Sequence, residues 1–188
     1  AEDGIRYRSP SRGLGDVYKR QCQCFLYIRF CTCTKQSLQK CTCTEIKHAM
    51  KGKTAAVFFG FTHCPEICPT TLYELTNWID MLGDEGKDLN VFFISVDPVR
   101  DTPQRMKKYL SRFSNRITGI TGDPNEINKL TKAWYIYTNR VTLGDGEYTM
   151  DHTASIFLLR VDGSLHGTID YKDTTNVALQ KLRHLLSL

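Results

Sequence analysis

The sequence predicts an α/β fold of three layers, in which a mixed β-sheet carries helices on both faces. In the first part of residues 47–188, apolar runs of strand length alternate with segments whose apolar residues recur at helical spacing. This alternation is typical of parallel strands joined by helices. Towards the C terminus, two strand-like runs flank an Asp162-Gly163 turn signal and predict an antiparallel hairpin.

The first strand is predicted over residues 54–61, where Ala, Val and Phe follow one another as in a strand covered on both faces. The next helix is predicted to have Pro69 in its first turn and to end at Gly83. Its apolar residues are three and four positions apart, which places them on one helical face: Leu72, Leu75, Ile79 and Leu82.

Two further strand and helix units follow. A buried strand over residues 90–96 precedes a helix capped by Thr102, with Pro103 in its first turn. A short β-branched run over residues 117–121 is the third strand. The third helix is predicted to start at Asp123, in a sequence resembling a capping box, and to end near residue 134.

The last quarter of the chain is predicted to hold strands over residues 135–143, 155–161 and 164–169. A turn at residues 144–146 follows the first of them, and a final helix begins near Thr175. The order β-α-β-α-β-α, then a hairpin and a helix, is that of a thioredoxin-like fold. We therefore predict one thioredoxin-like domain over residues 47–188.

Charge and composition indicate neither a nucleic-acid surface nor a membrane-spanning segment. The chain has 188 residues and a formal net charge of +5. Residues 51–188, however, hold sixteen basic and sixteen acidic side chains, so no basic surface for nucleic acid is indicated. No run of eighteen apolar residues occurs, so no segment is predicted to span a membrane.

Residues 1–46 differ from the rest in composition. Six of the eight cysteines lie between Cys22 and Cys43, in three Cys-x-Cys pairs. One interpretation is a metallothionein-like tract that holds copper or zinc. We favour the other, in which residues 1–46 are a disordered leader. Its Arg- and Tyr-containing stretches resemble translated adapter sequence, so we interpret this leader as non-native and exclude it from the fold.

The remaining two cysteines, Cys64 and Cys68, form a Cys-x-x-x-Cys loop between the first strand and its helix. Pro69 disfavours the helical conformation at the residue before it, so Cys68 is expected to lie outside the regular helix. The N-terminal end of a helix stabilises negative charge and lowers the pKa of a thiol placed there. A close pair of thiolates in an otherwise cysteine-free domain is typical of a soft-metal site or of a redox pair.

His152 is predicted to complete the site, because it directly precedes a core strand and a turn can aim it at the loop. Two thiolates and one imidazole suit Cu(I), or Cu(II) with a further ligand, whereas Zn(II) usually takes a fourth ligand. Asp151 is a candidate hydrogen-bond partner for the imidazole. His63 competes for the third position but ranks lower, since its side chain points away from that of Cys64.

Other polar residues receive simpler interpretations. His48, His166 and His184 lack ligand spacing and are interpreted as surface residues. Asp97 and Asp101 most simply shape a turn and cap a helix, although docking of a partner or support of the site is the alternative.

Three other functions compete with the copper site. The main alternative is a thiol-disulfide oxidoreductase with Cys64 and Cys68 as redox pair. Such enzymes usually carry Cys-x-x-Cys and a cis-proline, whereas this chain has no Pro after Pro124. A peroxidase would need an Arg beside its reactive thiol, which the loop lacks. An interaction domain would not confine its cysteines to one loop. We therefore predict a metal carrier without catalytic residues.

Three motifs resemble the SCO/SenC family of copper chaperones for cytochrome c oxidase assembly. They are the loop over residues 59–69, the segment Ser-Val-Asp-Pro-Val-Arg-Asp-Thr-Pro over residues 95–103, and Asp151-His152-Thr153. They occur in the family's order, and the resemblance runs from about Lys51 to the C terminus.

The resemblance implies a thioredoxin-like fold and copper bound by Cys64, Cys68 and His152. It also implies delivery to the binuclear copper site of the oxidase, with the copper-bearing subunit and an upstream copper donor as partners. The family is tethered to the inner membrane, facing the bacterial periplasm or the mitochondrial intermembrane space. Its anchor and an extra strand-forming segment have no counterpart in residues 1–46, so membrane contact is expected only through an anchor missing from this chain.

Overall fold

The computed structural model describes residues 29–32, 42–45 and 52–188, in which four helices and nine strands are found. The helices are α1 Ile67–Leu82, α2 Pro103–Leu110, α3 Pro124–Ala133 and α4 Thr175–Leu186. The strands are β1 Arg29–Thr32, β2 Thr42–Glu45, β3 Ala55–Gly60, β4 Asn90–Ser95, β5 Ile117–Thr121, β6 Thr138–Thr142, β7 Tyr148–His152, β8 Ile156–Leu159 and β9 Leu165–Ile169.

Seven of these strands form one mixed sheet in the order β2-β1-β5-β4-β3-β8-β9. β3, β4 and β5 are parallel, whereas β8 runs antiparallel to β3 and pairs with β9 across the predicted hairpin. The fold is thioredoxin-like, as predicted. Because β3 and β4 lie centrally and are parallel, their carboxyl ends meet at one edge of the sheet, where the cysteine loop begins.

Buried aromatic side chains cover both faces of the central strand β3. Successive side chains of a strand point to opposite faces. Phe58 meets the Phe93 ring on one face, and Phe59 meets the rings of Trp134 and Phe157 on the other. All six residues of β3 are buried, which explains why its sequence is an uninterrupted apolar run rather than an alternating one.

The helix starts agree with their predicted caps. The Thr102 hydroxyl accepts a hydrogen bond from the Arg105 amide. The Asp123 carboxylate accepts from the amides of Asn125 and Glu126 at the start of α3. Each side chain pairs backbone donors that have no partner inside the helix, and these starts are therefore local properties of the sequence.

The strand predicted over residues 135–143 begins three residues late, and the chain between α3 and β6 explains the delay. Tyr135 has a φ of 55°, in the left-handed region. The Ile136 amide donates to the Thr131 carbonyl and the Tyr135 amide to the Lys132 carbonyl, which is the Schellman pattern at a helix end. Residues 135–136 therefore end α3, and β6 starts only at Thr138.

The prediction missed β7 as a separate strand. β6 and β7 pair only with each other and form a second, two-stranded sheet. Their sequences are polar and lack the apolar signal of a buried strand. His152 is the last residue of β7 and lies opposite Thr138.

Strands β1 and β2 lie inside the segment 1–46, for which disorder is predicted. For these eight residues that prediction does not hold, because β1 pairs antiparallel with β2 and with β5. The expectation that residues 1–46 contain no strand-forming segment is wrong for the same reason. The edge of β5 offers unpaired backbone groups that such a strand can take up. The rest of the predicted leader lies outside the described residues, and its non-native origin stays a prediction.

Within the part of the chain that the structure describes, no helix combines the length and apolar character needed to cross a bilayer.

Candidate metal centre

The cysteine loop connects the end of β3 to the start of α1. The Cys64 amide donates to the Phe61 carbonyl at 3.3 Å, which turns the chain back towards the core. α1 begins at Ile67, so Cys68 lies in its first turn. The expectation that Pro69 keeps Cys68 out of the helix is wrong: amides of the first turn have no helical acceptor, and a proline there loses no bond.

The sulfur of Cys64 accepts a hydrogen bond at the start of this helix. The Cys68 amide donates to the Cys64 Sγ atom at 3.3 Å, and no side chain caps the helix at Glu66. A hydrogen bond from the Cys68 side chain lowers the pKa of Cys64 to about 4, against the opposing effect of burial. The same interaction, together with burial, raises the pKa of Cys68. The reduced pair is therefore one thiolate and one thiol.

His152 lies at this loop with its ring oriented by the backbone. Its Nε2 atom is 3.5 Å from the Cys68 Sγ atom, and its Nδ1 atom is 2.9 Å from the Thr153 carbonyl oxygen. A carbonyl only accepts hydrogen bonds, so Nδ1 carries the proton and the lone pair of the neutral ring is on Nε2. The nitrogen facing the sulfurs is thus the one that can bind a metal.

The structure brings the three predicted ligands together. The ligand atoms of Cys64, Cys68 and His152 all lie within 4.8 Å of one another. Cys68 is buried, whereas Cys64 and His152 are partly exposed. Among the described residues this is the one cluster of His, Cys, Asp or Glu with the spacing of a metal site.

Close packing fixes the buried side of the cluster. A Cβ atom on Gly60 would lie 2.8 Å from the Cys68 Sγ atom and 2.7 Å from the Phe93 ring, so only glycine fits there. The Phe61 ring meets the His152 ring edge-on at a centroid distance of 5.7 Å. The sulfur and the imidazole therefore have little freedom to move into the core.

Asp101 ties the cysteine loop to the end of β4. Its carboxylate is fully buried and accepts hydrogen bonds from the Thr62 amide at 3.1 Å and the Thr62 hydroxyl at 2.6 Å. It also accepts from the Ser95 hydroxyl at 2.6 Å. Burial raises the pKa of this carboxyl group. Thr102, not Asp101, caps α2, so supporting the loop is the interpretation that the contacts favour.

The other described histidines are not part of the cluster, and His48 lies outside the described residues. His63 contacts Arg105 through Nε2, and its Nδ1 atom is 3.3 Å from the Thr62 hydroxyl. The rings of His166 and His184 pack on each other at 5.0 Å. The predicted partnership of Asp151 with His152 is wrong, because the Thr153 carbonyl occupies the Nδ1 position.

The donor set of the cluster suits a soft cation. Two sulfurs and one imidazole nitrogen match Cu(I), whereas structural zinc sites use four ligands. One thiolate is already favoured in the reduced chain, so binding a cation would require loss of one further thiol proton. Two of the three donors are also partly exposed, and another molecule can approach them there.

Comparison with known proteins identifies the family to which this chain is similar. The family model described as SCO1/SenC matches residues 42–187. SCO2 of Saccharomyces cerevisiae, a mitochondrial protein, is 36% identical over 137 residues, which are 71% of this chain and 46% of that protein. The chain spans between 33% and 59% of the length of the first three curated relatives that it matches.

Solved structures with copper bound share the fold. ScoI of Bradyrhizobium japonicum has a TM-score of 0.73 and 38% identity, with 84% of this chain and 96% of that chain covered. Yeast Sco1 has a TM-score of 0.69 and 29% identity, with 75% and 80% covered. Both of these structures were determined with copper bound.

Proposed function

The chain belongs to the SCO1/SenC family, and from this premise we propose that it is a copper-binding metallochaperone. Its cargo is a copper ion held by Cys64, Cys68 and His152, and its destination is the binuclear copper site of cytochrome c oxidase. The observation that carries the proposal is the convergence of two sulfurs and an oriented imidazole nitrogen within 4.8 Å.

The site suits transfer better than permanent storage. Three protein donors leave the coordination shell of a copper ion open to an incoming ligand. Cys64 and His152 are partly exposed, and a thiolate of an acceptor protein can replace them one at a time. Cys68 is buried and would be the last of the three donors to be displaced from the copper ion. We infer no catalytic residue in this process.

The proposed partners and location follow the family. The Sco family is one of cytochrome c oxidase assembly proteins. We propose the copper-bearing subunit of the oxidase as acceptor and an upstream copper protein as donor. The proposed location is the periplasmic face of a bacterial inner membrane, or the intermembrane-space face of the mitochondrial inner membrane.

A second candidate is a thiol-disulfide oxidoreductase, which the unequal thiols favour. The Cys64 thiolate would attack a disulfide of a partner and release one partner thiolate, forming a mixed disulfide. Cys68, once deprotonated, would then attack Cys64 and release the second partner thiolate. The partner disulfide is reduced, and Cys64 and Cys68 are oxidised to a disulfide. Reduction of oxidase cysteines before copper delivery would join the two functions.

Copper stoichiometry tests the proposal. The six cysteines between Cys22 and Cys43 would bind copper as well, so the experiment uses the full chain with these six changed to serine. The chain is reduced, loaded anaerobically with Cu(I) and desalted. We expect about one copper per chain, as for a single three-ligand site, and its loss in Cys64→Ser and Cys68→Ser. His152→Ala should bind it more weakly.

The matched control is His63→Ala, which removes a neighbouring imidazole outside the cluster and should bind copper like the parent. Equal retention by His152→Ala and the parent would overturn the ligand assignment. A folded parent without copper that reduces a model disulfide would overturn the chaperone function and favour the oxidoreductase. Loss of copper to the reduced copper domain of the oxidase subunit, but not to its cysteine-free variant, would support delivery.

A further inference from the structure

The hairpin of β6 and β7 carries His152 but is not part of the seven-stranded sheet. The backbone ladder of the main sheet therefore does not fix the position of this histidine. Whatever holds the hairpin against the domain must do so through side chains and loops. The distance between His152 and the cysteine loop depends on those contacts.

The inner face of β7 presents three alternating residues to the domain. Tyr148, Met150 and His152 share one face, because side chains of a strand alternate. His152 meets the Phe58 and Phe61 rings, and Met150 packs against the apolar core. Tyr148, at the far end of the strand, instead meets charged groups of the loop that follows β4.

Asp97 and Arg100 hold Tyr148 through three contacts. The Tyr148 hydroxyl donates to the Asp97 Oδ1 atom at 2.9 Å. The Arg100 Nη1 atom donates to the Tyr148 carbonyl at 2.8 Å, and the guanidinium carbon lies 3.6 Å from the centroid of the Tyr148 ring. These contacts therefore fix both the backbone and the side chain of Tyr148.

The two holding residues are themselves fixed. Arg100 and Asp97 form an ion pair, and Asp97 is only 4% exposed. The Asp97 amide donates to the Ser95 hydroxyl, which in turn donates to Asp101 beneath the cysteine loop. One hydrogen-bond network therefore reaches from the cysteine loop to the hairpin that carries the histidine.

A second guanidinium completes the packing of the tyrosine ring. The Arg140 carbon lies 3.7 Å from the Tyr148 centroid. Two guanidiniums this close to one centroid would collide on the same face, so they lie on opposite faces of the ring. Arg140 belongs to the hairpin and lies opposite Met150 in the ladder. The tyrosine is stacked between a cation of its own hairpin and a cation of the domain.

From these contacts we infer that Tyr148 is a positioning residue for His152. The clamp, defined as Asp97, Arg100 and Tyr148, seats the hairpin so that the imidazole faces the two sulfurs. Tyr148 is four residues from His152, about 13 Å along an extended strand, and it is not one of the three proposed ligands. The inference rests on the proposed function and adds that the clamp sets how long copper is retained.

A double-mutant cycle tests this role. Tyr148→Leu removes the hydroxyl and the stacked ring, whereas Tyr148→Phe removes only the hydrogen bond to Asp97. The rate of Cu(I) loss to a chromogenic chelator is measured in the full chain with the six cysteines between Cys22 and Cys43 changed to serine. It is compared among the parent, both variants, His152→Ala and the double variant Tyr148→Leu/His152→Ala. We expect Tyr148→Leu to lose copper about tenfold faster than the parent, and Tyr148→Phe to lie between them.

The decisive comparison is the double variant, which should lose copper at the rate of His152→Ala alone, because Tyr148 acts only through the histidine. If Tyr148→Leu accelerates copper loss in the His152→Ala background by the same factor as in the parent, the positioning role is overturned. Equal rates for Tyr148→Leu and the parent would overturn it as well. Thr142→Val is the matched control, since this exposed residue lies opposite Tyr148 in the ladder, and its rate should equal that of the parent.

A copper-free readout separates this inference from the proposed function. In the reduced apo chain, amide hydrogen exchange in β6 and β7 should be faster for Tyr148→Leu than for the parent, with β3 and β4 unchanged. If exchange is faster in Tyr148→Leu but the parent binds no copper, the chaperone function is overturned, whereas the role of the clamp in seating the hairpin is supported. Unchanged exchange would overturn the clamp. If Tyr148→Leu fails to fold, Tyr148→Phe serves for both measurements.

Discussion

The Nε2 atom of His152 lies 3.5 Å from the Sγ atom of Cys68, although 84 positions separate the two residues in the sequence. Two different parts of the fold supply them. Cys68 starts the first helix after a buried parallel strand, and His152 ends a strand of the outer hairpin. A site of this kind forms only when the domain is folded, so its ligands and its fold can be tested separately.

The unequal thiols predict a distinct pH dependence of alkylation in the reduced, copper-free chain. The pKa of Cys64 is lowered to about 4, mainly by the hydrogen bond with Cys68. Cys64 therefore remains a thiolate, and its rate of reaction with iodoacetamide should be nearly constant between about pH 5.5 and 8. Peptide mapping by mass spectrometry follows each cysteine, and buried Cys68 should stay unmodified. A Cys64 rate that falls about tenfold per pH unit below 8, like that of an ordinary thiol, would contradict the prediction.

Gly60→Ala should disturb both the core and the ligand set. The new methyl group would lie 2.8 Å from the Cys68 sulfur and 2.7 Å from the Phe93 ring, and both are buried. We expect a loss of about 1–3 kcal/mol in the free energy of unfolding, measured with urea, together with weaker Cu(I) binding. Gly167→Ala is the control, because a Cβ atom there meets nothing within 4 Å. Equal stability of Gly60→Ala and the parent would show that the strand end can shift at no cost.

Removal of the Asp101 carboxylate should leave three donors of the cysteine loop and β4 without their acceptor. These are the amide and hydroxyl of Thr62 and the hydroxyl of Ser95. Asp101→Ala should lower the free energy of unfolding by about 2–3 kcal/mol in urea titrations. Asp101→Asn keeps one acceptor oxygen and should lose less. Glu126→Ala, a partly exposed carboxylate on α3, is the control and should change stability by less than about 0.5 kcal/mol.

The same carboxyl group predicts a dependence of stability on pH. Burial raises its pKa in the folded chain above the reference value of 3.8. The native state then holds a proton that the unfolded chain has released, so Asp101 lowers stability as the pH rises from 3.8 through the folded pKa. In Asp101→Asn this contribution should be absent. The difference in unfolding free energy between variant and parent is measured at intervals of pH; a difference independent of pH would contradict the assignment.

The sequence was sufficient to predict what depends on local signals. The apolar runs of β3 and β4, the caps at Thr102 and Asp123 and the final hairpin are each encoded within a few neighbouring residues. The convergence of Cys64, Cys68 and His152 was also predicted, because the two cysteines share one loop and His152 directly precedes a core strand. What the sequence could not predict depends on long-range contacts. β7 is too polar to stand out as a strand, and the bond from Tyr148 to Asp97 spans 51 positions. Similarly, nothing near Asp101 indicates that Thr62, 39 positions away, is its partner.

The end of α3 offers a final prediction, in which a substitution should stabilise the chain. Tyr135 holds the left-handed position of a Schellman motif with a φ of 55°, where glycine is usual because a Cβ atom is strained there. Its side chain is 59% exposed, so little burial is lost on its removal. Tyr135→Gly should therefore raise the free energy of unfolding by about 0.5–1 kcal/mol, measured by urea denaturation. Tyr137→Gly is the matched control, since Tyr137 is 60% exposed but has a negative φ. There glycine only adds freedom to the unfolded chain and should lower stability by a similar amount. If both variants lose stability equally, the tyrosine ring at position 135 contributes contacts that outweigh its backbone strain.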